Sequence, residues 1–199
     1  MRRIHLFCED AGHEQFLKAL LNRLARRYAI DIEIKVNSAR GGHGRMLHRL
    51  RNYMERLREG RINADTPDLI VVVRDANCSG LSKMLSALKT DVEDYDPITI
   101  YAIPDPHFER WLLLDSSAFK HVLGRGCSAP DQKCEKERYK KLLIEAVLNT
   151  GETPVFGGIE HTEDIVNAMD LERMMTADPS LGSLITELRR TFSSWSCQD

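Results

Sequence analysis

Leu69-Ile70-Val71-Val72-Val73-Arg74-Asp75-Ala76-Asn77-Cys78-Ser79-Gly80 is the stretch that decides the fold. Its five apolar residues in a row, three of them valine, are too short for a buried helix. They suit a strand covered on both faces, as in a parallel sheet. Pro67 and Asp68 open the strand. The polar run after Asp75 turns the chain into a helix with apolar positions at Leu81, Met84, Leu85 and Leu88. In open α/β sheets ligands bind beyond the carboxyl ends of the strands, and Asp75 stands at such an end.

Working outward, Arg3 to Cys8 reads as a first strand and Glu9-Asp10-Ala11-Gly12 as its exit loop. Phe16, Leu17, Leu20, Leu21 and Leu24 follow helical spacing between His13 and Arg27. Ile30, Ile32, Ile34 and Val36 alternate with charged residues, as in a half-exposed strand near a sheet edge. A glycine-rich loop, Ser38 to Arg45, feeds a helix whose buried face is Met46, Leu47, Leu50, Tyr53, Met54 and Leu57. Beyond an acidic connector, Ile98 to Ile103 reads as a fourth strand, ending in Pro104-Asp105-Pro106-His107-Phe108-Glu109-Arg110-Trp111. This alternation predicts an α/β fold with a mostly parallel four-stranded sheet and right-handed crossovers. No strand is evident after Leu112. Helices are expected over 133–149, 162–177 and 180–192, with the last seven residues loose. The division that follows is an α/β core over 1–115 and a helical extension over 116–199 packed on it.

The composition, 42% hydrophobic and 29% charged over 199 residues, is that of a globular protein with a full core. No apolar run reaches membrane-spanning length, and Ile4 to Cys8 is too brief for a targeting segment. Five cysteines without framework spacing point to reduced thiols and a cytoplasmic setting. Cys127 and Cys134, with His121 nearby, lack zinc spacing. The net charge of −2 hides an asymmetry: residues 1–62 hold 14 Lys/Arg against 7 Asp/Glu, leaving the remainder acidic. A basic lobe of this kind suits phosphates, and solvated helix faces produce the same count.

Acids follow three strands: Glu9 and Asp10, then Asp75, then Asp105 and Glu109. In a parallel sheet these exits share an edge, and hard oxygen ligands gathered there suit Mg²⁺ or Mn²⁺. Carboxylates around such a site repel one another, so Asp75→Asn is expected to leave folding nearly intact. Arg40-Gly41-Gly42-His43-Gly44-Arg45 offers backbone N–H groups to phosphate at a helix start, backed by Arg40, Arg45 and Arg49. It is not a P-loop, and a flexible turn explains it equally well. His13, His43 and His107 flank the site loops, where histidines shuttle protons or simply cap helices.

Three segments carry a family resemblance. Glu9-Asp10-Ala11-Gly12-His13-Glu14-Gln15-Phe16-Leu17 resembles the strand-exit Glu-Gly motif of Toprim domains, where a further acid opens the first helix. Val73-Arg74-Asp75-Ala76-Asn77 stands where Toprim domains carry Asp-x-Asp. Pro104 to Asp115 is similar to the Pro-x-x-Glu-x-Trp-Leu-Leu-x-Asp segment of a small uncharacterised Toprim-like family. That family is similar to the nuclease domains of OLD-type (overcoming lysogenization defect) ATPase–nucleases. The resemblance spans about residues 3–115 and, more faintly, the helical tail. It implies a Toprim-like Rossmannoid fold and divalent-metal phosphodiester chemistry on DNA or RNA. It also implies a prokaryotic mobile-element defence setting, with an ATPase partner.

Carried over, Glu9 is the first-motif acid (metal ligand or general base), Asp75 the main metal ligand and Glu109 the acid of the third segment. Asp10 and Asn77 complete the metal set, and His13, Glu14 and His107 are auxiliary. The departures are Asp10 in place of glycine, Glu14 shifted by one position, Asn77 in place of the second aspartate, and no evident catalytic lysine. They keep a second reading open: a non-catalytic Toprim-like subunit that binds an ATPase or nucleic acid. A receiver-like phosphoacceptor fits poorly, since strand four ends Ala102-Ile103-Pro104 where a Ser/Thr is required. A homodimer is left open.

Overall fold

The computed structural model describes residues 1–38, 43–62, 66–91, 99–135 and 137–197. Its four strands, β1 (Arg2–Cys8), β2 (Ile32–Ser38), β3 (Leu69–Val73) and β4 (Thr99–Ala102), form one sheet of order β2-β1-β3-β4. Every pairing is parallel, with Leu6 opposite Val71 and Val71 opposite Ile100. The fold is α/β and Rossmann-like. The alternating strand, at Ile32, Ile34 and Val36, is an edge strand, and the all-apolar one, Leu69–Val73, is fully buried. Ile98, assigned to the fourth strand from sequence, lies outside the described residues, as do Arg40, Gly41, Gly42 and most of the acidic connector.

Strand periodicity splits the core in two. Ile4, Leu6, Cys8, Leu69, Val71, Val73, Ile100 and Ala102 face α1 (Ala11–Tyr28) and the helices that follow β4. Phe7, Ile70 and Val72 face α2 (His43–Arg58) and α3 (Leu81–Asp91). The helices after β4 are α4 (Phe108–Leu113), α5 (Ser116–Leu123), α6 (Arg138–Leu148), α7 (Thr162–Ala168), α8 (Leu171–Ala177) and α9 (Pro179–Ser196). Residues from both sides of position 115 join the larger apolar cluster without interruption, so the helical extension completes one layer of the sheet.

Several expectations need correction. Helix α1 begins at Ala11, because Asp10 caps it by accepting the His13 N–H, so Ala11 and Gly12 are helical rather than loop. The charged helix begins only at Arg138, after a left-handed Glu137 (φ 61°). The helix expected over 162–177 is two: Asp170 breaks the run by capping α8, and its own N–H is taken by Asp115 Oδ2 at 2.9 Å. Of the seven residues expected to be loose, 193–196 are helical. Phe192 and Trp195 are buried, and each such burial contributes roughly 1.5–3 kcal/mol, so α9 continues to Ser196. Nor are all five cysteines reduced. Cys78 and Cys134 form a disulfide with Cα atoms 5.5 Å apart, joining the β3 exit to the loop before α6. Among the described residues, no helix is long and apolar enough to cross a membrane.

Candidate active site at the carboxyl edge of the sheet

The chain runs from β1 outward to β2, then crosses back to β3 on the other side of β1. The exits of β1 and β3 therefore flank a topological switch point, where an open parallel sheet leaves a crevice. A cleft of about 260 Å³ lies there, and Glu9, Asp10, Asp75, Asn77, His107 and Glu109 all line it. The three strand exits thus bring together Glu9, Asp10, Asp75 and Glu109, while Asp105 is not among the lining residues.

Asp75 is the hub. Its Oδ1 accepts the Phe108 N–H at 3.1 Å and lies 3.0 Å from His13 Nε2, while Oδ2 lies 3.1 Å from His107 Nδ1. His13 is buried in the first turn of α1. Its Nδ1 stands 3.0 Å from Asp10 Oδ1, an ion-pair contact without good hydrogen-bond alignment. Burial alone would lower the His13 pKa. The charge of Asp75 and the contacts with Asp10 override it and hold the ring protonated, to about 10. Correspondingly, burial would raise the Asp10 carboxyl, yet its bonds to His13 bring it down to about 2. Burial likewise opposes ionisation of Asp75, and the charge of His13 with the bond to His107 lowers its pKa all the same. A buried imidazolium between two carboxylates is the opposite of the expected repulsion. With His13, His107 and the Phe108 N–H all on Asp75, Asp75→Asn is now expected to cost stability rather than spare it.

Glu109 stands in the first turn of α4, 3% exposed. Burial raises its pKa, the charge of Asp75 adds to the rise, and Lys140 and His13 oppose it. His107 shifts upward chiefly through its bond to Asp75. Glu9 lies within 3.8 Å of Arg74 Nε. Asn77 adopts a left-handed backbone (φ 50°), a conformation that asparagine tolerates better than most residues, and its side-chain amide donates to the Asp75 carbonyl at 3.1 Å. That turn gives a local reason for asparagine at this position. Close packing links the first and third exits. A Cβ on Gly12 would meet the Phe108 ring at 2.1 Å, so only glycine lets α1 and α4 approach this closely.

Of the remaining candidates, Glu14, Arg45 and Arg49 are not among the residues that line the cleft. Glu14 points along α1 toward Lys18, 3.6 Å away. Arg45 and Arg49 lie on α2 across the sheet, and Arg49 Nη1 donates to the Ser38 carbonyl at 2.7 Å, at the end of β2. His43 opens α2, and Arg40, Gly41 and Gly42 lie outside the described residues. Conversely, the extension supplies residues that the sequence reading missed: Glu137, Tyr139 and Lys140 close the cleft from the start of α6. Tyr139 is buried and its hydroxyl accepts the Lys133 N–H at 2.8 Å, fixing the loop that the disulfide also holds. Lys140 is thus a lysine at the acid cleft, 31 residues beyond Glu109 in sequence. The one hint in the sequence was Cys78 beside Asp75 and Cys134 beside the Arg138-Tyr139-Lys140 run.

In kind, the donor set suits a hard dication: five carboxylates (Glu9, Asp10, Asp75, Glu109 and Glu137) and the Asn77 amide line one cleft. In position, Asp75 is engaged by His13, His107 and the Phe108 N–H. Among the described residues, no three His, Cys, Asp or Glu side chains gather closely enough to enclose an ion. A cation would bind by displacing part of the contacts that His13 and His107 make with Asp75.

Comparison with curated proteins and with solved structures finds no match. The family described as Domain of unknown function (DUF4276) matches residues 8–189, nearly the whole chain, and the protein belongs to that family.

Proposed function

We propose that the cleft hydrolyses phosphodiester bonds of DNA or RNA with Mg²⁺ or Mn²⁺ bound, as a Toprim-like nuclease working beside an ATPase in prokaryotic mobile-element defence. One observation carries the reading: Glu9, Asp75 and Glu109 leave three different parallel strands and line a single cleft that Lys140 also enters. Glu9, Asp75 and Glu109 would hold the cation, with Asp10 and the Asn77 carbonyl completing the set. When bound, the ion supplies Lewis acidity at the scissile phosphate and at the attacking water. Glu109, on the wall of the cleft, accepts the proton of that water. Lys140 sets its charge against a non-bridging phosphate oxygen. His107, whose hold on a proton the bond to Asp75 strengthens, donates to the leaving oxygen. His13 is too deeply buried to touch substrate and acts as a positioning residue for Asp10 and Asp75.

The test combines a nuclease assay on single- and double-stranded DNA and RNA, with and without the cognate ATPase, and thermal unfolding titrated with Mg²⁺ and Mn²⁺. Wild type should cleave and be stabilised by metal, and Asp75→Asn should lose both responses. Absence of both responses in wild type ends the proposal. A second reading, a non-catalytic subunit that binds nucleic acid or an ATPase, is favoured by the full engagement of Asp75. It predicts binding without cleavage of any substrate.

A further inference from the structure

Beside the acid cleft lies a second cavity of about 340 Å³, and the two share Asp10, Glu109 and Lys140 as a common wall. The rest of its lining is apolar and includes Phe108, Ile144, Phe156 and Ile159. Phe156 is anomalous: it is 69% exposed, and its neighbour Val155 is 70% exposed. An exposed aromatic ring on a slack loop would carry no meaning, but this loop is fixed. The Glu160 carboxylate accepts the Val155 N–H at 2.8 Å, the Phe156 N–H at 3.1 Å and the Gly158 N–H at 3.0 Å. Gly157 and Gly158 both take left-handed conformations (φ 74° and 90°) that L side chains rarely adopt, so the turn is built around that carboxylate. The chain thus holds a largely exposed aromatic ring on the lining of a pocket that also carries Asp10, Glu109 and Lys140.

We infer that this cavity seats one unstacked nucleobase of the substrate, with Phe156 as its stacking platform, so that the protein acts on single-stranded or frayed nucleic acid. The inference rests on the phosphodiester reading and names the substrate class for it. A base has apolar faces and a polar edge. The Phe156 ring meets a face, the carboxylates of Asp10 and Glu109 accept from exocyclic amino groups, and the Lys140 ammonium donates to a ring nitrogen or carbonyl. Because those three groups also border the acid cleft, a base in one cavity leaves its own phosphodiester in the other. In a duplex both faces of each base are covered by neighbours, so Phe156 has nothing to stack on. An apolar side chain of a protein partner would fill the apolar part and leave the charged wall without a partner.

The experiment measures binding in EDTA at low salt, where no metal-dependent cleavage occurs. A short single-stranded oligodeoxyadenylate, an abasic oligonucleotide of equal length, and a duplex are compared. Wild type should bind the base-bearing strand more tightly than the other two. Phe156→Ala should weaken that binding about tenfold, a typical loss for one base stacked on an aromatic residue, and leave abasic binding unchanged. Phe156→Trp should retain the affinity, and its added fluorescence should be quenched by the base-bearing strand alone. Exposure of Phe156 means that both variants should unfold at the wild-type temperature. Equal loss on abasic and base-bearing strands, no loss at all, or equal duplex binding overturns the inference, and a Phe156 indifferent to oligonucleotides would assign the surface to a protein partner. The two readings fail separately. Base-dependent binding without cleavage in Mg²⁺ or Mn²⁺ sinks hydrolysis and keeps the base seat. Cleavage unaffected by Phe156→Ala and without strand preference does the reverse.

Discussion

Asp178→Asn should destabilise the protein by about 3–5 kcal/mol, the usual result of leaving a buried charge without its partner. Asp178 is 1% exposed and carries four contacts. One oxygen pairs with Arg110 Nη1, whose side chain is itself only 9% exposed. The other accepts the Leu181 N–H at 2.8 Å as the cap of α9, bonds the Ser180 hydroxyl, and lies 3.3 Å from Trp111 Nε1. Asparagine keeps the volume and the cap but removes the charge, so the loss reports the stranded guanidinium. Asp178→Ala should cost about 1 kcal/mol more, because the cap goes too. In a chain of this size the asparagine change corresponds to a fall of about 10 °C in Tm. Guanidinium unfolding followed by circular dichroism measures it. Arg110→Met combined with Asp178→Asn should recover part of the loss, since no buried charge then remains unpaired. A loss under about 1 kcal/mol, or a double variant worse than the sum of the singles, would refute the reasoning.

Glu109→Gln should raise Tm above wild type at pH 7 without divalent metal. Burial lifts the Glu109 pKa, so the native state loses stability as pH rises from 4.5 through the raised value, and the glutamine variant escapes that loss. The gain should vanish near pH 4, and a variant less stable at pH 7 counts against the assignment. The Cys78–Cys134 bridge closes a 56-residue separation, worth up to about 4 kcal/mol of chain entropy. Cys78→Ser or reduction should lower Tm, and the unreduced, denatured protein should titrate three free thiols, Cys8, Cys127 and Cys197. Five titratable thiols would rule the bridge out.

The parallel sheet was legible because Leu69 to Val73 left no polar position for solvent, and the alternating Ile32 to Val36 run did. The acid cleft was legible in outline, since parallel strands send their exits to one edge. What stayed hidden depends on distant pairs. Whether carboxylates repel depends on what stands between them, and His13 reaches Asp75 across 62 residues. Lys140 arrives through a loop whose position depends on Cys134 finding Cys78. The end of α9, by contrast, was readable: Leu181, Leu184, Ile185, Leu188, Phe192 and Trp195 continue one helical stripe past 192.

The contact between Gly12 and Phe108 constrains how this sequence can drift. With 2.1 Å between a Cβ at position 12 and the Phe108 ring, an alanine there cannot be accommodated while the ring stays put. A smaller residue at 108 alone would open a void against His13, whose ring centroid is 4.8 Å from that of Phe108. The two positions are therefore expected to exchange bulk together across DUF4276 chains, glycine with an aromatic residue or a larger residue with a small one. Such a trade would carry the junction between the first and third strand exits through substitution without disturbing Asp75.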